Sequence, residues 1–141
     1  MLSPTEHNQW IAEANGYFKA ATGGLNRKEI FTNEILYNII SMSIEKYLMG
    51  FLVSRNQLPQ CHTLSNMIQE VKVLAPVSDY IVQKMNYFDK LQQICSLVKY
   101  DKTIITDRDI LVMINLLKEI RMMVQENIPL STVKSVVNQY Y

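Results

Sequence analysis

The chain has 141 residues, the size of one ordinary domain, and 48 % of them are apolar, enough to bury a core. Fourteen Lys and Arg against 13 Asp and Glu leave a net charge of +1 with no basic or acidic tail. That balance excludes the basic stripe on which avid, non-specific duplex binding depends, although a small local RNA site stays open. Charged residues are 19 % of the chain, below the usual quarter, which hints at surface buried in an interface.

The opening MLSPTEHNQW is too polar for a signal peptide. The most apolar stretch, residues 35–53, is broken by Asn38, Ser41, Ser43, Glu45 and Lys46. A membrane span needs about 20 largely uncharged residues, so no span is expected and the cytoplasm is the expected location. Two cysteines outside any CxxC pair and two histidines cannot assemble a structural zinc site, and neither metal nor cofactor is expected. Free thiols in a reducing compartment are the plain reading of Cys61 and Cys95.

In chain order, a first helix is expected from Ser3-Pro4-Thr5-Glu6. There Ser3 caps, Pro4 suits the first helical position and Glu6 completes a capping box. Trp10, Ala14, Tyr17 or Phe18, and Ala21 follow at helical spacing, and Gly23-Gly24 ends it. A second helix is expected to begin near Asn26, with Glu29 completing another box, and to run to about Ser54. Its apolar stripe is Leu36, Ile40, Ile44, Tyr47, Leu48 and Phe51, with Glu34, Asn38, Ser41 and Glu45 on a separate polar face.

Residues 55–61 read as a loop because Pro59 forbids helix there. A short helix is expected from about Thr63 to Val73, closed by Pro76. A fourth begins at Ser78-Asp79, with Ile81, Phe88 and Cys95 recurring every seven residues and Leu91 and Val98 between them. After a loop from Lys99, a fifth is capped by Thr106 or Asp107, and its seam is Ile110, Met113, Leu117, Ile120 and Val124. Eleven of the fifteen residues 110–124 are apolar, so this helix is either central or covered by a second subunit. A last helix from Ser131 is possible. The best candidate strand, residues 71–77, is weakened by Pro76. The expected fold is all-α, an up-and-down bundle of four to five helices in one domain over residues 1–141.

The stretch SIEKYLMGFLVSRNQLPQCHTL, residues 43–64, resembles the HEPN family of small helical domains. The first helix, with Trp10, Ile11, Ala12, Glu13, Ala14, Tyr17, Ala20 and Ala21, is similar to that family's opening helix. Ser43-x-Glu45-Lys46-x-Leu48 matches its glutamate-lysine signature, and Pro59-x-x-His62-x-Leu64 its turn into a short third helix. Lys99-Tyr100-Asp101 resembles the tyrosine-containing segment before its last long helix.

The resemblance implies two functions. Many members are metal-independent ribonucleases whose signature is an arginine, a polar residue and a histidine; Arg55, Asn56 and His62 match it, with six residues between Arg55 and His62. Cleaving RNA at its own 2′-hydroxyl needs a base, an acid and a cation for the phosphorane. Histidine supplies either proton role near neutral pH, arginine's planar fork holds phosphate oxygens, and Asn56 donates a further hydrogen bond. One histidine cannot be base and acid in one step, so the second comes from another subunit across a shared cleft. The first function is therefore a homodimeric endoribonuclease, a toxin or stress effector with an antitoxin partner. The second is a non-catalytic module that binds a nucleotide or a partner such as a minimal nucleotidyltransferase.

Plainer roles stand beside these. His62 caps the short helix or bonds a loop carbonyl, Arg55 is a solvated charge at a helix end, and Asn56 is loop polarity. Glu45 and Lys46 pair with neighbouring helices, and His7 is a solvated surface residue.

Overall fold

Thr32, Thr63 and Thr106 each turn a side-chain oxygen onto a backbone N–H three residues on, that of Ile35, Asn66 and Asp109. A helix starts after each, because the threonine satisfies an amide that the helix itself leaves unpaired. At Thr106 the box is complete, since the Asp109 carboxylate accepts the Thr106 N–H at 3.1 Å. A computed structural model describes residues 6–60, 63–97 and 105–128, with backbone alone at 93–97. Ser3, Cys61, His62, Val98, the Lys99-Tyr100-Asp101 segment and everything from Pro129 on lie outside the described residues, as does the Cys95 side chain.

The described residues form five helices and no strand: α1 Glu6–Gly24, α2 Asn33–Ser54, α3 Leu64–Leu74, α4 Asp79–Leu97 and α5 Asp107–Asn127. The fold is the all-α bundle that the periodicity predicts. Residues 71–77 are the end of α3 and the bend after it rather than a strand.

Side-chain bonds between helices set their directions. Ser43 Oγ donates to the Ala14 carbonyl at 2.9 Å, and Lys46 Nζ lies 3.1 Å from Glu13 Oε2, so α1 and α2 run antiparallel. Asn33 donates to Ile105 O and Asp107 Oδ1 at one end, and Arg55 donates to Asn127 O at the other, so α2 and α5 run parallel. The Tyr87 hydroxyl donates to Asp109 Oδ1 at 3.2 Å, joining α4 to the start of α5.

The core follows the expected stripes. Leu36, Ile40, Ile44, Tyr47, Leu48 and Phe51 are buried on α2, and Ile110, Met113, Leu117, Ile120 and Val124 on α5. On α4, Ile81, Phe88 and Leu91 are buried, together with Met85. The helix covered nearly all round is α2, where residues 47–53 are all buried. Packing against α1, α3 and α5 surrounds it. On α5, Leu111 and Met122 stay more than half exposed.

Two expectations change. The second helix begins at Asn33, not near Asn26. The Arg27 carbonyl accepts from both Ile30 and Phe31, so residues 25–31 close into a tight turn, and Glu29 completes no box. His7 is buried, only 4 % exposed, and its Nε2 has no hydrogen-bond partner among the described residues.

Candidate functional site

Helix α2 ends in a specific way. The Gln57 N–H reaches back to Leu52 O at 2.9 Å and the Asn56 N–H to Val53 O at 2.9 Å. This six-to-one and five-to-two pair is a Schellman closure, which needs a left-handed residue just past the cap. Asn56 is that residue, with φ 59°. Asparagine tolerates this conformation better than other side chains that carry a Cβ. Asn56 therefore has a backbone duty in ending α2, besides the phosphate contact or loop polarity expected from its residue type.

Arg55, the residue before it, is exposed and its guanidinium is held at two points. Nη2 donates to Asn127 O, the last carbonyl of α5, at 2.9 Å. The guanidinium carbon lies 5.1 Å from the Phe51 ring centre, one turn back on α2. The positive charge thus sits where two helices end, at the negative pole of both dipoles. One of its five N–H donors is used in this bond, and the rest of the planar fork can meet an anion.

His62, the third residue of the candidate triad, lies outside the described residues. The chain resumes with Thr63 at the cap of α3. Asp89, halfway along α4, accepts the Ser65 N–H at 2.7 Å and the Leu64 N–H at 3.3 Å. No spacing in the sequence announces this carboxylate, because its partners are 24 and 25 residues away.

A groove of about 530 Å³ opens between the α3–α4 turn and the last turns of α5. Pro76, Ser78, Ile81, Met122, Met123 and Asn127 line it, together with the carboxylates of Glu119 and Glu126. It touches the Arg55 anchor through Asn127, but two carboxylates make it a poor seat for a phosphate backbone. Among the described residues no three His, Cys, Asp or Glu side chains gather closely enough to hold a metal ion. No described helix is long and apolar enough to cross a membrane.

The Glu45-Lys46 pair of the family signature turns toward structure at Lys46. Its ammonium pairs with Glu13 and stands 4.8 Å from the Trp10 ring centre, tying α2 to α1. A second polar cluster, unannounced by motif, lies among α1, α2 and α5. The Tyr47 hydroxyl bonds Asn15 Oδ1, and the Arg121 guanidinium stacks 4.7 Å from the Phe18 ring centre. Burial pushes the Tyr47 hydroxyl up to about 12, against the opposing pull of Arg121.

Set beside protein-family models, curated proteins and solved structures, the chain matches none of them.

Proposed function

We propose that this chain is a HEPN-type module that works in the cytoplasm as a homodimer and cuts RNA without a metal, with Arg55 and His62 at a cleft shared by two subunits. The observation that carries the reading is the exposed Arg55-Asn56 turn at the end of α2. It holds a pre-oriented guanidinium on Asn127 O, seven residues before His62 along the chain. Arg55 binds the scissile phosphate and stabilises the phosphorane. One subunit's His62 takes the proton of the 2′-hydroxyl, and the other subunit's protonates the leaving 5′-oxygen. The products carry a 2′,3′-cyclic phosphate and a free 5′-hydroxyl. A toxin or stress effector of this kind is paired with an antitoxin.

One observation favours a second reading, in which the module binds a nucleotide or a partner such as a minimal nucleotidyltransferase and cuts nothing. The Arg55 guanidinium already joins two helix ends through Asn127 O and Phe51, as a purely structural arginine would.

The two readings part in one assay, incubation of the purified chain with an RNA oligonucleotide. The ribonuclease reading expects cyclic-phosphate products, insensitivity to chelators, and loss of cleavage in Arg55→Ala and His62→Ala. A mixed dimer with one His62→Ala subunit should lose far more than half of the activity. Unchanged cleavage by the His62→Ala homodimer removes His62 from the reaction, and a wild-type chain that cuts no RNA leaves the binding module.

A further inference from the structure

Helix α5 carries its charges on two different sides. Glu119 and Glu126 line the groove beside the α3–α4 turn. Arg121 comes two residues after Glu119, about 200° round the helix, and meets α1 instead. There its guanidinium stacks 4.7 Å from the Phe18 ring centre. Its Nε–H is buried and makes no hydrogen bond among the described residues, so the ring face rather than a bond at Nε orients the planar group. Arg121 also stands beside the Tyr47 hydroxyl, on which it exerts a downward pull. That hydroxyl donates to Asn15 Oδ1, which occupies the Asn15 oxygen and leaves its NH2 group as a donor. Arg121 and Asn15 therefore meet at one buried hydroxyl.

The ion pairs among the described residues, Lys28 with Asp107 and Lys46 with Glu13, do not include Arg121. Yet Arg121 is partly buried, and a cation withdrawn from water is ordinarily compensated by an opposite charge. Its neighbours carry the same sign. Lys118 is three residues before Arg121 on α5, and Lys19 is four residues after Asn15 on α1. Those spacings share a helix face, and both lysines are exposed.

We propose that Asn15, Lys19, Lys118 and Arg121 form a phosphate-binding site at the seam between α1 and α5, with Phe18 and Tyr47 orienting the guanidinium. The planar fork offers paired N–H donors to phosphate oxygens, the Asn15 amide adds a neutral donor, and the two lysines add charge without demanding one geometry. Three positive charges suit a doubly charged phosphate better than a single carboxylate. The site is separate from Arg55, since Arg121 is six residues, about 9 Å of helix, before Asn127, whose carbonyl Arg55 holds. It does not rest on the ribonuclease reading, and a chain that cuts no RNA would keep it.

The test follows the Nε–H resonances of the four arginines, Arg27, Arg55, Arg108 and Arg121, in the full nitrogen-15-labelled chain. Inorganic phosphate should shift the Arg121 signal saturably, with a Kd of about 10 mM or tighter, while Arg27 and Arg108 serve as controls. Arg121→Lys keeps the charge and loses the fork, and should weaken phosphate binding about tenfold, read from the thermal shift that phosphate produces. Lys19→Ala combined with Lys118→Ala changes only exposed side chains, so the fold is kept, and affinity should fall about fivefold. Two further ligands identify the source of the phosphate. A nucleoside 5′-monophosphate offers a terminal group, and a short deoxyoligonucleotide with hydroxyl ends offers only diesters and has no 2′-hydroxyl to be cut. Whichever shifts Arg121 at the lower concentration names the source. An Arg121 signal unmoved by all three ligands, a linear shift matched at Arg27 and Arg108, or unchanged affinity in the double lysine variant overturns the inference and leaves the ribonuclease reading untouched.

Discussion

Gly50 on α2 faces Ile11 on α1 so closely that a Cβ built on Gly50 would stand 2.6 Å from Ile11 Cδ1 and 3.0 Å from its Cγ1. Helix propensity alone would make alanine better than glycine there by about 1 kcal/mol. The contact reverses the sign, because Ile11 is buried and overpacking costs about 1–3 kcal/mol. Gly50→Ala is therefore expected to lose about 1 kcal/mol in urea unfolding. Gly16, mid-way along α1 with nothing within 4 Å of its added Cβ, should gain about 0.5–1 kcal/mol as Gly16→Ala. Equal effects at the two glycines would contradict the close approach of α1 and α2.

Tyr47 makes alkaline stability depend on one hydroxyl. Burial raises it to about 12 in the folded chain, against 10.0 for an ordinary tyrosine. Below pH 10 both folded and unfolded chains keep the proton. Between pH 10 and about 12 the unfolded chain gives it up while the folded chain holds it, so stability falls as pH rises through that window. Tyr47→Phe should cost about 1 kcal/mol at pH 7 through the lost bond to Asn15 and should flatten the decline above pH 10. Denaturant midpoints from pH 8 to 11 check both effects.

His7 produces the mirror-image effect in acid. Desolvation lowers its pKa from 6.5, so below pH 6.5 the unfolded chain takes up a proton that the folded chain refuses. Stability should fall as pH drops from 6.5 through the lowered folded value. His7→Leu replaces a buried imidazole whose Nε2 has no partner among the described residues. It should leave stability at pH 7 unchanged or raise it by about 1 kcal/mol, and should reduce the loss between pH 7 and pH 5. An undiminished acid loss in His7→Leu would assign the effect to other groups.

Asn56 can be divided into its backbone and its amide. Asn56→Ala puts an unfavourable side chain at φ 59° and should cost about 1 kcal/mol, whereas Asn56→Gly adopts that angle freely and should be neutral or stabilising. If the amide also donates to a scissile phosphate, Asn56→Gly should keep the fold and lose about tenfold or more in cleavage rate, the scale of a single lost hydrogen bond. Full activity in Asn56→Gly would confine this residue to ending α2.

Much of this architecture is decided within a few residues along the chain. Pro59 breaks the helix whatever surrounds it, Thr63 and Thr106 cap amides three residues away, and the seam from Ile110 to Val124 follows from helical spacing. Those rules are local, so the sequence alone determined where α3 and α5 start and which faces of α2 and α5 turn inward. The same local rules put the start of α2 near Asn26. They cannot see that Arg27 gathers the amides of Ile30 and Phe31 into a turn, leaving Thr32 as the cap. Sequence also singled out Arg55 and Asn56 by residue type and order. Only the tertiary structure decided that Arg55 is tied to the last carbonyl of α5, that Lys46 is spent on Glu13, that His7 is buried and that Asp89 closes α3. Each of those facts concerns groups at least 24 residues apart or the cover of a whole surface. Hydrogen bonds are short and directional, so such partners are set by how the helices come to rest against one another.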